Sequence, residues 1–164
     1  MLFLACNDGN NTTENKKNDD VAESESTTIS KKDIQSLKFT DYGLSFKAKD
    51  KVSNWQKYQE LTNQIGFLKQ ADLSFYSSDV SLITTFLNDF KIEIPKELAT
   101  NEILARITVL ETKTLSLNSV LSLDNISKNE KLQAVKELLV SYSNLNLQIN
   151  KKLEFDSNNI SKPQ

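Results

Sequence analysis

The stretch SKNEKLQAVKELLVSYSNLNLQINKKL, residues 127–153, decides the fold class. Its opening Ser127-Lys128-Asn129-Glu130 has the form of a capping box: a serine oxygen accepts from the amide three residues on, and a glutamate reaches back to the serine amide. Behind it Val135, Leu139, Tyr142, Leu145, Ile149 and Leu153 recur at three- and four-residue steps and so share one helical face. A helix therefore begins at Ser127 and buries that face.

Upstream, Leu98, Ile103, Ile107, Leu110, Leu117 and Leu121 make a second long stripe. Thr112, Lys113 and Thr114 interrupt it over one turn, and Leu123-Asp124-Asn125-Ile126 ends it. Pro95, with Glu97 two positions later, predicts the first turn of that helix. Lys91 to Ile94 alternates like a strand but is too short and isolated to pair, so a loop is expected there. Ser77-Ser78-Asp79 supplies a break and an N-cap for a shorter helix carrying Val80, Ile83, Leu87 and Phe90. Asp50 is placed to cap a long amphipathic helix with Val52, Trp55, Tyr58, Leu61, Ile65 and Leu68 on one face. Three long stripes and one short one, joined by short polar loops, predict an all-α fold: an antiparallel helical bundle of about four helices. The same spacing suits a coiled coil or a partner-binding helix. Between Ile29 and Lys47, Ile34, Leu37 and Phe39 suit one or two helical turns. Tyr42, Leu44 and Phe46 alternate as an extended segment does, with a break at Asp41-Tyr42-Gly43.

Composition agrees with helices. Only Gly9, Gly43, Gly66, Pro95 and Pro163 are available for turns, too few for a chain of hairpins or βα crossovers. With 164 residues and 38% hydrophobic content, one modest core is expected. The net charge of -2, with both signs interspersed, lacks the basic stripe of a nucleic-acid binder, so no nucleic-acid partner is expected.

Several chemistries are excluded by residue type. The chain contains no histidine, which removes Ser-His-Asp and Cys-His catalysis, HExxH zinc sites and the carboxylate-histidine di-iron motif of helical bundles. Three isolated glycines cannot build a phosphate-cradling loop, and no serine stands three residues before a lysine as in SxxK hydrolases. A single cysteine allows neither an intrachain disulfide nor a multi-cysteine metal site. Carboxylates remain: Glu93 and Glu97, or Asp124 to Glu130, which faintly resembles a calcium loop but lacks its alternating acids and central glycine. Both read as surface charge. No catalytic residue, no metal and no cofactor is expected.

The amino terminus carries the address. Met1-Leu2-Phe3-Leu4-Ala5-Cys6 is an apolar run ending in a small residue and a cysteine, followed at once by polar residues. It resembles the end of a bacterial lipoprotein signal peptide, cleaved before a cysteine that carries the lipid. Phe3 and Leu4 depart from the usual residues, and the charged region with most of an apolar stretch of about 7 to 15 residues is missing, so Met1 is expected to lie inside a longer signal. From Asn7 to Thr28 only Val21 and Ala22 are apolar, and nothing there repays the entropy of ordering. As a flexible coil of roughly 24 residues this arm would reach about 25 to 30 Å, enough to clear lipid headgroups. The expected organisation is a signal remnant at 1–5, a disordered linker at 6–30, a helical domain at 31–156 and a disordered tail at 157–164.

Phe3 to Cys6, Ser45-Phe46-Lys47-Ala48-Lys49-Asp50 leading into Asn54-Trp55-Gln56-Lys57-Tyr58, and Ala105-Arg106-Ile107-Thr108-Val109-Leu110-Glu111 together resemble the uncharacterised helical lipoproteins of Bacteroidota, especially of flavobacteria. The resemblance implies lipid attachment at Cys6, a place in the cell envelope on the outer membrane, and no known activity. The expected function is thus a non-catalytic, lipid-anchored envelope protein, in contact with the membrane through Cys6, whose helices bind another envelope component. One alternative is a binder of a small apolar or lipid ligand in the bundle, lined by Trp55, Tyr58 and Tyr142. Another is a cytoplasmic helical adaptor, should Cys6 be an unmodified thiol. Trp55, Tyr58, Tyr142, Phe86 and Phe90 also suit a plain core.

Overall fold

The computed structural model describes residues 28–160. Cys6, the segment 1–5, the arm up to residue 27 and the last four residues of the expected tail lie outside the described residues. Within them the chain is all-helical, as the stripes predict: α1 (Lys31–Gln35), α2 (Phe46–Lys51), α3 (Gln56–Lys69), α4 (Val80–Ile92), α5 (Asn101–Leu121) and α6 (Lys128–Ile160), with one 3-10 turn at Lys96–Leu98.

The four longer helices form the bundle, and cross-pairs give their directions. Lys113 of α5 pairs with Glu137 of α6 at 2.8 Å, while Lys91 of α4 reaches Glu111 of α5 at 2.8 Å and Asn118 of α5 donates to the Tyr76 carbonyl just before α4. Neighbours in sequence thus run antiparallel. On the far side Tyr58 of α3 meets Asn146 of α6, and Thr62 meets Tyr142, so α3 also opposes α6 and closes the ring. The core is apolar and dense: Trp55, Leu61, Leu68, Tyr76, Phe90, Leu98, Leu110, Leu117 and Leu145 are completely buried.

α6 is the axis of the molecule. Its 33 residues span about 50 Å. The predicted Ser127 box is present, with Glu130 N donating to Ser127 Oγ at 3.3 Å and Ser127 N donating to Glu130 Oε2 at 3.1 Å. All six stripe residues are buried, and Ala134, Leu138, Ser141, Ser143 and Asn146 are buried with them, because α6 is covered on more than one side. It continues through Ile160, beyond the boundary expected at 156.

Other boundaries differ for local reasons. The helix expected from Asp50 is two pieces. Ser45, not Asp50, caps α2 by accepting from the Ala48 amide, and the chain turns through Val52–Asn54 before α3. Ser53 and Asn54 are weak helix formers, and Trp55 is pinned by its indole N–H to the Phe90 carbonyl at 3.0 Å. α4 runs on through Ile92 where a loop was expected. Pro95 and Glu97 precede α5 instead of opening it: Thr100 is the true cap, accepting from the Ile103 amide, and Leu98 plugs the core from the 3-10 turn. Thr114 does not interrupt the α5 stripe, being fully buried with its hydroxyl returned to the Leu110 carbonyl at 2.8 Å. Ile29, placed in the linker by composition, is buried, and Ser30 with Asp33 forms a capping box for α1.

Candidate binding cleft

Residues 37–45 carry no regular secondary structure, yet their backbone is held. They lie along α6 and run parallel to it, from α1, whose Asp33 pairs with Lys128 at 2.8 Å, to α2, whose Lys47 reaches Ser157 at 3.1 Å. α6 holds this strap with three side chains. Ser143 Oγ accepts from the Tyr42 amide and donates to the Thr40 carbonyl, both at 2.7 Å. Asn146 Nδ2 donates to the Tyr42 carbonyl at 3.0 Å. Asn150 accepts from the Ser45 amide and donates to the Gly43 carbonyl, both at 2.8 Å. A carboxamide offers the same C=O and N–H as a peptide group, so the asparagines stand in for a neighbouring strand.

Between the strap, α3 and α6 lies a cleft of about 620 Å³, within the size range of small-molecule sites. Leu44, Val52 and Ile65 give it apolar walls, and Lys49 and the ion pair of Lys69 with Asp41, 2.6 Å apart, sit among its polar lining. Its floor is hydroxylic: Tyr58 donates to Asn146 Oδ1 at 2.6 Å, Tyr142 and Thr62 hydroxyls are 2.8 Å apart, and the Tyr58 and Tyr142 oxygens are 3.4 Å apart. Burial raises the Tyr58 phenol well above its ordinary value, so it stays protonated at any physiological pH. Gly66 also lines the cleft, in the interior of α3, and a Cβ placed there would touch nothing within 4 Å.

Of the three aromatic residues expected around a ligand, Tyr58 and Tyr142 line this cleft. Trp55 does not; it is fully buried, with its ring 4.5 Å from Phe90 and 5.4 Å from Tyr58, and is core. Phe90 is likewise buried and Phe86 packs beside it. Sequence reasoning missed Thr62, Gly66 and Asn146. The available signal was Ser143, Asn146 and Asn150, polar residues at three- and four-residue steps beside the cleanest apolar stripe. The carboxylates weighed earlier are separately engaged: Glu93 accepts from the Lys57 amide, Glu97 pairs with Lys51, and Glu130 belongs to the capping box. Among the described residues no three His, Cys, Asp or Glu side chains gather as metal ligands would, and no helix is long and apolar enough to cross a membrane. No protein-family model matches this chain, and no curated protein or solved structure matches it.

Proposed function

We propose that this chain is a non-catalytic binding protein of the bacterial cell envelope, anchored by a lipid on Cys6, and that the cleft beside the strap is its capture site for a small, largely apolar molecule. The observation that carries the binding reading is Gly66. A glycine in a helix interior costs about 0.5–1 kcal/mol relative to alanine, and here no packing contact asks for it, since a Cβ would meet open space. What its missing side chain preserves is room in the cleft. The hydroxyl floor supports the same reading: polar groups few in number, fixed in direction and set under apolar walls are how small-molecule sites orient a ligand. The anchor rests on the run Phe3 to Cys6 and the resemblance it carries.

Two measurements test these parts separately. Mass spectrometry of the protein isolated from its native cells is expected to find Cys6 acylated at a new amino terminus; a free thiol behind an uncleaved segment would overturn the anchor. Organic extraction of the same protein is expected to release an apolar molecule that a folded Gly66→Leu variant does not retain. Equal recovery from both proteins would overturn the cleft as capture site.

A second reading has its own observation. Phe46 is 89% exposed and Phe155 is also exposed, and both lie at the end of the bundle opposite Asp33 and Lys128. An apolar end facing away from an anchor suits an envelope protein partner. Crosslinking in native cells that recovers the same partner from wild type and from Phe46→Asp/Phe155→Asp would sink that alternative.

A further inference from the structure

Every hydroxyl hydrogen on the cleft floor is already committed. The Tyr42 carbonyl can only accept, so Asn146 must turn Nδ2 toward it and Oδ1 toward Tyr58, whose hydroxyl must then donate. Thr62 has one hydroxyl hydrogen, and it goes to the Tyr58 carbonyl at 2.8 Å. The 2.8 Å contact between Thr62 and Tyr142 therefore has Tyr142 as its donor. The two phenol oxygens, 3.4 Å apart, face each other with neither hydrogen between them, and both residues line the cleft. Two acceptors side by side in a partly desolvated site are costly until a donor lies across them. The floor is a paired acceptor.

We propose that the cleft binds a neutral, largely apolar molecule through one hydroxyl-type donor, which bridges Tyr58 Oη and Tyr142 Oη while its body lies against Leu44 and Ile65. This assignment rests on the cleft being the capture site. A carboxylate or ether brings no hydrogen to the paired oxygens. A cation would bring one, but the charged lining is net positive, with Lys49 left over once Lys69 is paired with Asp41.

The chain's few glycines make the test readable. Gly43 and Gly66 both line the cleft, and Gly9 is the only other glycine, so amide NMR of the ¹⁵N-labelled full chain offers two site reporters and one reference. The probes are para-propylphenol, para-propylanisole and para-propylbenzoate, alike in shape and different at the polar atom. The phenol is expected to shift Gly43 and Gly66 saturably and to bind about tenfold more tightly than the anisole, the worth of one well-placed hydrogen bond. In Tyr142→Phe that ratio is expected to fall to about twofold or less; should this variant not fold, the wild-type ratio decides alone. Equal binding of phenol and anisole, abolished in both by Gly66→Leu, would overturn the paired acceptor and leave the cleft standing. Tightest binding of the benzoate would overturn the neutral class. Binding that ignores Gly66→Leu, or no saturable shift with any probe, would overturn the capture site itself.

Discussion

Asn146 joins Tyr42 to Tyr58: one carboxamide donates to the Tyr42 carbonyl at 3.0 Å and accepts the Tyr58 hydroxyl at 2.6 Å. One residue of α6 thus fixes both the strap and α3. Asn146→Ala strands a buried phenol and a peptide carbonyl together, with an expected loss of about 2–4 kcal/mol, read from the urea midpoint. Adding Tyr58→Phe to that variant should recover part of the loss, because one orphaned group disappears. Independent, additive effects would show that the two side chains do not communicate through this bond.

Ala71 has φ 68°, where a side chain is strained. It follows the last turn of α3, with its amide donating to the Leu68 carbonyl at 2.9 Å and the Asp72 amide to the Phe67 carbonyl at 3.0 Å. This is a Schellman ending with alanine where glycine is preferred. Ala71→Gly relieves a strain of about 1–2 kcal/mol and gives back part of it through the freer unfolded chain and the lost, partly buried methyl. A net gain of about 0.5–1 kcal/mol is expected, raising Tm by a few degrees; a lower Tm would mean that the methyl packing dominates.

The hydroxyl of Tyr76 is fully buried and finds no hydrogen-bond partner among the described residues, and burial raises its phenol above the ordinary value. Tyr76→Phe keeps the ring, which packs edge-on against Phe75 at 5.0 Å, and removes the desolvated oxygen. Stability is expected to rise by about 1 kcal/mol. A fall in the thermal midpoint would show that the hydroxyl is satisfied in solution.

Asp33 gives the fold an acid-sensitive clasp. The Lys128 ammonium, then the Ser30 hydroxyl and amide, hold its carboxyl well below the usual carboxylate range. Because the folded value lies below the unfolded one, the stabilisation is complete above the unfolded value of about 4 and is lost as pH falls below it. Asp33→Asn should therefore be less stable than wild type at pH 7, and the difference should narrow by pH 2 to 3. A difference in urea midpoint that stays constant down the titration would contradict the linkage.

What the sequence made legible is what local rules govern. The Ser127 box, the Asp79 cap and the α6 stripe each depend on residues within one or two turns, so periodicity and capping chemistry suffice to find them. The break between α2 and α3 was hidden because the apolar spacing runs through Val52 and Trp55 without a gap, and the deciding contact is the Phe90 carbonyl, far along the chain. The strap was hidden more deeply. Its alternation at Tyr42, Leu44 and Phe46 marks it as extended, but its backbone partners are side chains on Ser143, Asn146 and Asn150, 101 to 107 positions away. For the same reason half of the cleft floor was visible as aromatic residues and the other half was not: Asn146 and Thr62 become a site only when two antiparallel helices place them together.

The strap has a mechanical consequence. It runs alongside α6 in the same direction, so the described chain starts near Lys128 and ends at Ile160, at opposite ends of the long helix. A pull on those two ends along the helix axis loads the Ser143, Asn146 and Asn150 bonds together, in shear, rather than peeling them open one at a time. Tension therefore reaches the wall of the cleft directly, and the segment that bears the load is the same one that bounds the binding site.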